Sequence, residues 1–232
     1  MTRRRYESRH FDAKHDRNSG RLIEDVELHH CTFTFCSLSI TRDVRKRTIV
    51  RRVDAKDCFA TACHVWGAIV EDVTVDGLLT TDTLRVNAAA FRHVTLKGRI
   101  GRLLVSPALW PGTATLKEEQ SFACANAEYY QGVDWALDIR DAEFEEAEIQ
   151  GVPCNLIRRD PTSQVVVRRE KVAEGTWRTL DLAATHWAQS LQFLLDDGFP
   201  EKLLIAPRRS PNYPKLVDGL AQLRDAGIAD PD

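Results

Sequence analysis

The chain has 232 residues, 43% of them hydrophobic and 28% charged, with Lys+Arg 32 against Asp+Glu 34 and a net charge of −2. That is ordinary globular composition, with length enough to bury a core unaided, so a mini-protein held by metals or disulfides is excluded. No run approaches the roughly 18 apolar residues of a spanning helix, and the first residues are charged, so a soluble, unsecreted, cytoplasmic protein with no membrane partner is expected.

The near-neutral total hides an asymmetry. Met1 to Arg52 carries thirteen Lys/Arg against seven Asp/Glu. Residues 1–21 are read as a basic N-terminal arm. Its Arg3-Arg4-Arg5 is a solvated, frayed terminus on the plain reading and a contact for phosphates, nucleic acid or an acidic partner on the sharper one. A second cluster, Arg42, Arg45, Lys46, Arg47, Arg51 and Arg52, reads as a solvated connection rather than a nucleic-acid site.

From Val26 a period of five sets in. Val26-Glu27-Leu28, Cys31-Thr32-Phe33 and Cys36-Ser37-Leu38 each give a small or β-branched residue, a polar one and an apolar one, followed by two variable residues. The frame returns at Val53, Cys58, Cys63, Ala68 and Val73, slips near Leu78 to Thr83, and resumes at Leu84, Ala89 and Val94. It ends with Leu137, Ala142, Ala147 and Val152. A helix repeats at three and four residues and a strand alternates without a break, so a turn must recur every fifth residue. Ile69 to Gly77 is echoed by Ala90 to Gly98, twenty-one residues later, as expected if the chain winds coil upon coil. Cys31, Cys36, Cys58 and Cys63 then occupy the small inward position and Cys154 the other inward one, where thiols pack as compact hydrophobes rather than as disulfides or zinc ligands. His64 and His93 fall where side chains point to solvent.

These residues, and above all Asp141-Ala142-Glu143-Phe144-Glu145-Glu146-Ala147-Glu148-Ile149-Gln150-Gly151, resemble the pentapeptide-repeat proteins. The resemblance implies a mainly β fold, a right-handed parallel β-helix over residues 22–175. Some members of that family mimic DNA and bind type II topoisomerases; those are strongly acidic along their length, and this chain is not.

Between Ser106 and Gly132 the rule fails. Pro107, Pro111 and Gly112 break the chain, and Leu116–Tyr130 reads as a helix inserted at about 106–132, covering apolar surface or forming a pocket wall. Farther on, Asp160-Pro161-Thr162-Ser163 is a turn between two strand-like runs, which predicts a hairpin gathering Arg158, Arg159, Arg168 and Arg169 beside the acidic run from Asp138 to Glu148. Charge balance is the plain role of that cluster and a phosphate grip the sharper one. Residues 176–232 read as a small α/β cap: a helix over Ala183–Leu195, a strand over Lys202–Ala206 and a helix over Tyr213–Asp225, with Trp177 and Trp187 sealing the end of the coil.

No nucleophile elbow, phosphate loop, dinucleotide fingerprint, zinc helix or calcium loop is present, so no cofactor or metal is expected. The reading that follows is a non-enzymatic module for binding or scaffolding macromolecules, with a protein partner favoured over a small molecule and a homodimer allowed by the family's habit. Its alternative is an enzyme with a site at the junction of coil, insertion and C-terminal segment, where Arg158, Arg159, His186 and Trp187 meet.

Overall fold

A computed structural model describes residues 3–109 and 112–230; Pro111, one of the expected breakers, lies outside them. Among the described residues the fold is mainly β, with a large parallel sheet and four α-helices. Its strands are β1 (Arg4–Glu7), β2 (His10–Asp12), β3 (His15–Arg17), β4 (Leu22–His29), β5 (Thr32–Thr34), β6 (Ser37–Ile40), β7 (Ile49–Thr61), β8 (His64–Trp66), β9 (Ile69–Thr80), β10 (Leu84–Asn87) and β11 (Ala90–Ser106). Helix α1 (Leu116–Tyr130) intervenes before β12 (Leu137–Asp138), β13 (Ala142–Ile149) and β14 (Ile157–Arg158). After these come β15 (Gln164–Arg168), α2 (Arg169–Ala173), α3 (Trp187–Asp197), β16 (Glu201–Ile205) and α4 (Tyr213–Asp225).

The first fourteen strands form one sheet in which every pairing is parallel. Its main path runs β1-β4-β7-β9-β11 and turns back through β10-β8-β6-β3. The fold-back arises because long strands bend. Backbone φ is positive at Arg52 (53°), Asp57 (50°), Ala62 (50°), Gly67 (59°), Asp72 (52°) and Gly77 (80°), five residues apart each time. The same spacing links Asp25, His30 and Phe35, and Ala88, His93 and Gly98. One segment therefore serves two ladders: β7 pairs with β4 before Asp57 and with β5 after it. This is the turn that the period of five demanded.

Between bends the chain returns in register after 20 residues from Val53 to Val73 and 21 from Val73 to Val94. Val26, Val53, Val73, Val94, Leu137 and Ile157 stack on successive strands and are all buried. Cys31, Cys58 and Cys63 are buried beside them, and burial pushes the Cys58 and Cys63 thiols up. Two excursions lengthen the return. One spans residues 41–48; the other carries α1, whose Thr115 side chain accepts from the Glu118 N–H while the Glu118 side chain accepts from the Thr115 N–H.

Four expectations are corrected. Residues 4–17 are no frayed arm: Ser8, Ala13 and Asn18 bend the chain at φ of 48°, 47° and 47°, and β1, β2 and β3 lie against β4, β5 and β6. The second basic cluster is no solvated connection, because Arg47 is buried, donating from Nε to the Gly67 carbonyl at 2.6 Å and from Nη2 to the Ala68 carbonyl at 3.1 Å. Arg51 and Arg52 pair with Glu24, and Arg52 also with Asp25.

The third correction is the hairpin. The turn at Asp160 forms, with Ser163 Oγ and the Thr162 N–H donating to its carboxylate, but its two flanks part. β14 continues the parallel ladder beside β12, while β15 pairs antiparallel with β16. The reason is two-sided burial: Val166, Leu203 and Ile205 join the core of the parallel sheet, and Val165, Val167 and Leu204 join a second core with α3 and α4. The fourth concerns Trp177 and Trp187, which belong to that second core and not to that of the parallel sheet; the ribbon of β15 and β16 is what lies against the sheet. Helices α1 and α4 run as expected, whereas α3 starts at Trp187, not Ala183. Among the described residues no helix is long and apolar enough to cross a membrane.

Candidate functional site

The expected arginine cluster does not assemble. Arg158 lies over the Trp135 ring, 4.2 Å from its centroid. Arg168 pairs with Asp230 at 2.9 Å and with Glu201 at 3.7 Å. Arg169 donates to the Leu195 carbonyl at 2.9 Å. Arg159, like Arg168, acts on the Cys154 thiol, which burial pushes up. The divided hairpin accounts for this, since Arg158 belongs to one sheet and Arg168 to the other. His186 and Trp187 therefore do not meet Arg158.

They instead line a cleft of about 420 Å³ between the parallel sheet and the C-terminal unit. β10 contributes Arg85, β11 Leu103 and Leu104, β13 Glu146 and Glu148, β16 Lys202, and the start of α3 Gln189, Ser190 and Phe193. Register sets its sheet wall: Arg85, Leu104 and Glu148 form one row, and Leu84, Leu103 and Ala147 the next. On the opposite wall Trp187 is buried, and its Nε1 donates to the Leu216 carbonyl at 2.9 Å, so it anchors α3 rather than offering a free ring. His186 precedes it, ring centroids 4.3 Å apart. Phe193, 47% exposed, stands on the same helix.

The cleft is polar on one side. Lys202 is buried along its stem and donates from Nζ to Glu148 Oε1 at 2.9 Å, and Gln150 Nε2 donates to the same oxygen at 2.8 Å. Arg102 holds Glu145 at 2.9 Å and Glu146 at 3.9 Å. Burial drives the His186 pKa down, with Lys202 acting in the same sense and Glu146 against it. The imidazole is thus neutral at neutral pH and free to accept a hydrogen bond or a proton. Among the described residues no carboxylate forms an ion pair with it, so the base-and-orienter arrangement of a nucleophilic triad is missing. No group of three His, Cys, Asp or Glu side chains among the described residues is placed to hold a metal.

Sequence reasoning picked out His186, Trp187 and the acidic run but missed Arg85 and Lys202 as cleft residues. The one available signal was a lysine opening the buried run Leu203-Leu204-Ile205. His93, expected as plain surface, is held at both ring nitrogens, Nδ1 3.0 Å from Asp72 and Nε2 2.6 Å from Asp134. Comparison with protein-family models, curated proteins and solved structures found no match to this chain.

Proposed function

We infer that this protein is a binding module built on a coiled parallel scaffold, with the cleft as its recognition site for an extended segment of a protein partner. The scaffold is read as a right-handed four-sided β-helix of pentapeptide-repeat type. Bends every fifth residue, layers about twenty residues apart and small buried residues at the repeat position support that reading, and parallel crossover connections are right-handed in nearly all sheets. Six free thiols, four of them buried, fit a reducing compartment such as the cytoplasm.

The observation that carries the function is the pairing of chemistries in one open cleft, lined by the exposed Phe193 ring, Leu103 and Leu104 together with the Lys202–Glu148 ion pair and neutral His186. Aromatic and aliphatic surface supplies contact area, and the polar groups fix register along a bound chain. A DNA-mimic role gains no support from the surface, where Glu24, Arg51, Glu71 and Arg92 alternate in sign across four strands.

Peptide-display selection against the folded protein tests this. Selected peptides are expected to weaken by about tenfold or more on Phe193→Ser, as befits an aromatic anchor, and to shift resonances of Lys202 and His186. Peptides mapping elsewhere would refute the cleft as the site. The enzyme reading retains one favouring observation, the neutral His186 at the cleft; turnover of any substrate in a hydrolase panel, abolished by His186→Gln, would put it first.

A further inference from the structure

The layer of β1, β2 and β3 stands at one end of the sheet. Each of these strands is paired on one side only: β1 with β4, β2 with β5, β3 with β6. Among the described residues no strand pairs with the other side. An uncovered row of strand N–H and C=O groups is a template for a further strand.

What the layer presents is set by register. Arg4 is level with Val26, which is buried. The Thr32 N–H donates to the Arg9 carbonyl and the Ser37 N–H to the Lys14 carbonyl, each at 2.9 Å, which sets Arg9 level with Cys31 and Lys14 level with Cys36. Three basic residues thus occupy the slots that the next layer fills with valine and cysteine. Two residues after Arg4 and Arg9 stand the half-buried rings of Tyr6 and Phe11, their centroids 5.7 Å apart, with Phe11 stacked on Phe33 at 5.1 Å. Arg4, Arg9 and Lys14 are exposed and have no carboxylate partner among the described residues. Residues 3–21 carry seven Lys/Arg against three Asp/Glu.

We propose that this face binds an acidic, extended segment of a partner protein, which adds as a further strand layer along β1, β2 and β3. The spacing specifies the ligand. A segment following the three strands meets Arg4, Arg9 and Lys14 at intervals of five residues, so it carries Asp or Glu at every fifth position and an apolar residue two positions after the first two of these, over Tyr6 and Phe11. Main-chain hydrogen bonds supply sequence-independent affinity, and the alternate side chains supply choice. Charge selects against a second copy, because two such faces meeting end to end set like charges against each other.

The probe is a synthetic peptide with glutamate at its first, sixth and eleventh positions and leucine at its third and eighth, compared with the same peptide carrying lysine for glutamate. Binding is read by fluorescence anisotropy, and the site by amide exchange of the full chain. The acidic peptide is expected to bind at least about tenfold more tightly than the lysine peptide and to slow exchange in residues 4–17. The charge-reversed triple variant Arg4→Glu, Arg9→Glu, Lys14→Glu is expected to invert that preference. If that variant does not fold, Arg9→Gln alone is expected to weaken the acidic peptide measurably. Equal affinity for both peptides, or binding without slowed exchange in residues 4–17, overturns the proposal. Binding of duplex DNA but not the acidic peptide overturns it in favour of nucleic acid, and a wild-type dimer dissolved by the charge reversal does so in favour of a second copy.

Discussion

His93 binds Asp134 through Nε2 and Asp72 through Nδ1, and only the imidazolium has a proton to offer at both nitrogens. The hydrogen bond it donates to Asp134 leads in raising its pKa above the ordinary value of 6.5. A folded-state pKa above the unfolded one gives stabilisation that is complete below the unfolded value and is lost as pH rises through the folded one. Because the ring is a third exposed, the effect is modest. Thermal unfolding of wild type and Asp134→Asn should therefore differ most in mildly acidic solution and converge at alkaline pH, and a gap independent of pH would contradict the clasp. Arg47 works differently. Burial pushes its pKa down to about 10, so it stays charged at neutral pH, bound to main-chain carbonyls and 5.5 Å from the Phe122 ring centroid. Arg47→Ala takes the side-chain donor from the buried Gly67 carbonyl, at a cost of about 1–3 kcal/mol, while the Ala68 carbonyl keeps the Ala90 N–H at 2.9 Å, and chemical denaturation should show a loss in that range or above. Neither role was legible beforehand: the partners of His93 lie 21 and 41 residues away, and nothing local distinguishes Arg47 from its solvated neighbours.

Helix α1 stands where the bend at Gly67 leaves room for it. Phe122 is fully buried against that bend, and a Cβ built on Gly67 would come within 2.6 Å of its ring at a φ of 59°. Gly67 thus serves both the turn and the close approach. Phe122→Ala should cost about 3–5 kcal/mol, as for other large-to-small changes in a core, and speed amide exchange throughout α1. Gly67→Val should act in the same direction, and exchange in α1 unchanged by either substitution would show that the helix is held elsewhere. Helices α1 and α4 were readable to the residue because their ends carry local signals, Thr115 with Glu118 in one and Pro214 after Asn212 in the other. The first three strands were hidden because Arg4, Arg9 and Lys14 occupy slots that elsewhere hold apolar residues, which removes the pattern that announces a layer. The period of five was visible because each bend is local. Partner choice by β15 was not, since a two-faced apolar strand is satisfied by any similar strand and only the chain's overall path selects β16.

At the scale of the whole molecule, two cores share one ribbon. Val166, Leu203 and Ile205 face the parallel sheet, while Val165, Val167 and Leu204 face α3 and α4. The cleft exists because of this junction: its residues come from positions 83–85, 103–104, 146–148 and 186–207, four stretches with no common local signature, so it could be assembled only in space. The C-terminal unit cannot leave the sheet without exposing the inner face of the ribbon and the layer beneath it, and unfolding of either core must therefore carry the other with it. Leu203 and Leu204 are adjacent, equally buried and on opposite faces, which makes them a matched pair. Leu203→Ala opens a cavity in the sheet core and Leu204→Ala one in the helical core, each costing about 2–5 kcal/mol. If the ribbon couples the cores, both variants lower one common melting transition, and exchange of the slowest amides in β11 and α4 accelerates by the same factor in each. Two resolved transitions, with the loss in Leu204→Ala confined to α3 and α4, would instead make the C-terminal unit an independent domain and the cleft a boundary free to open.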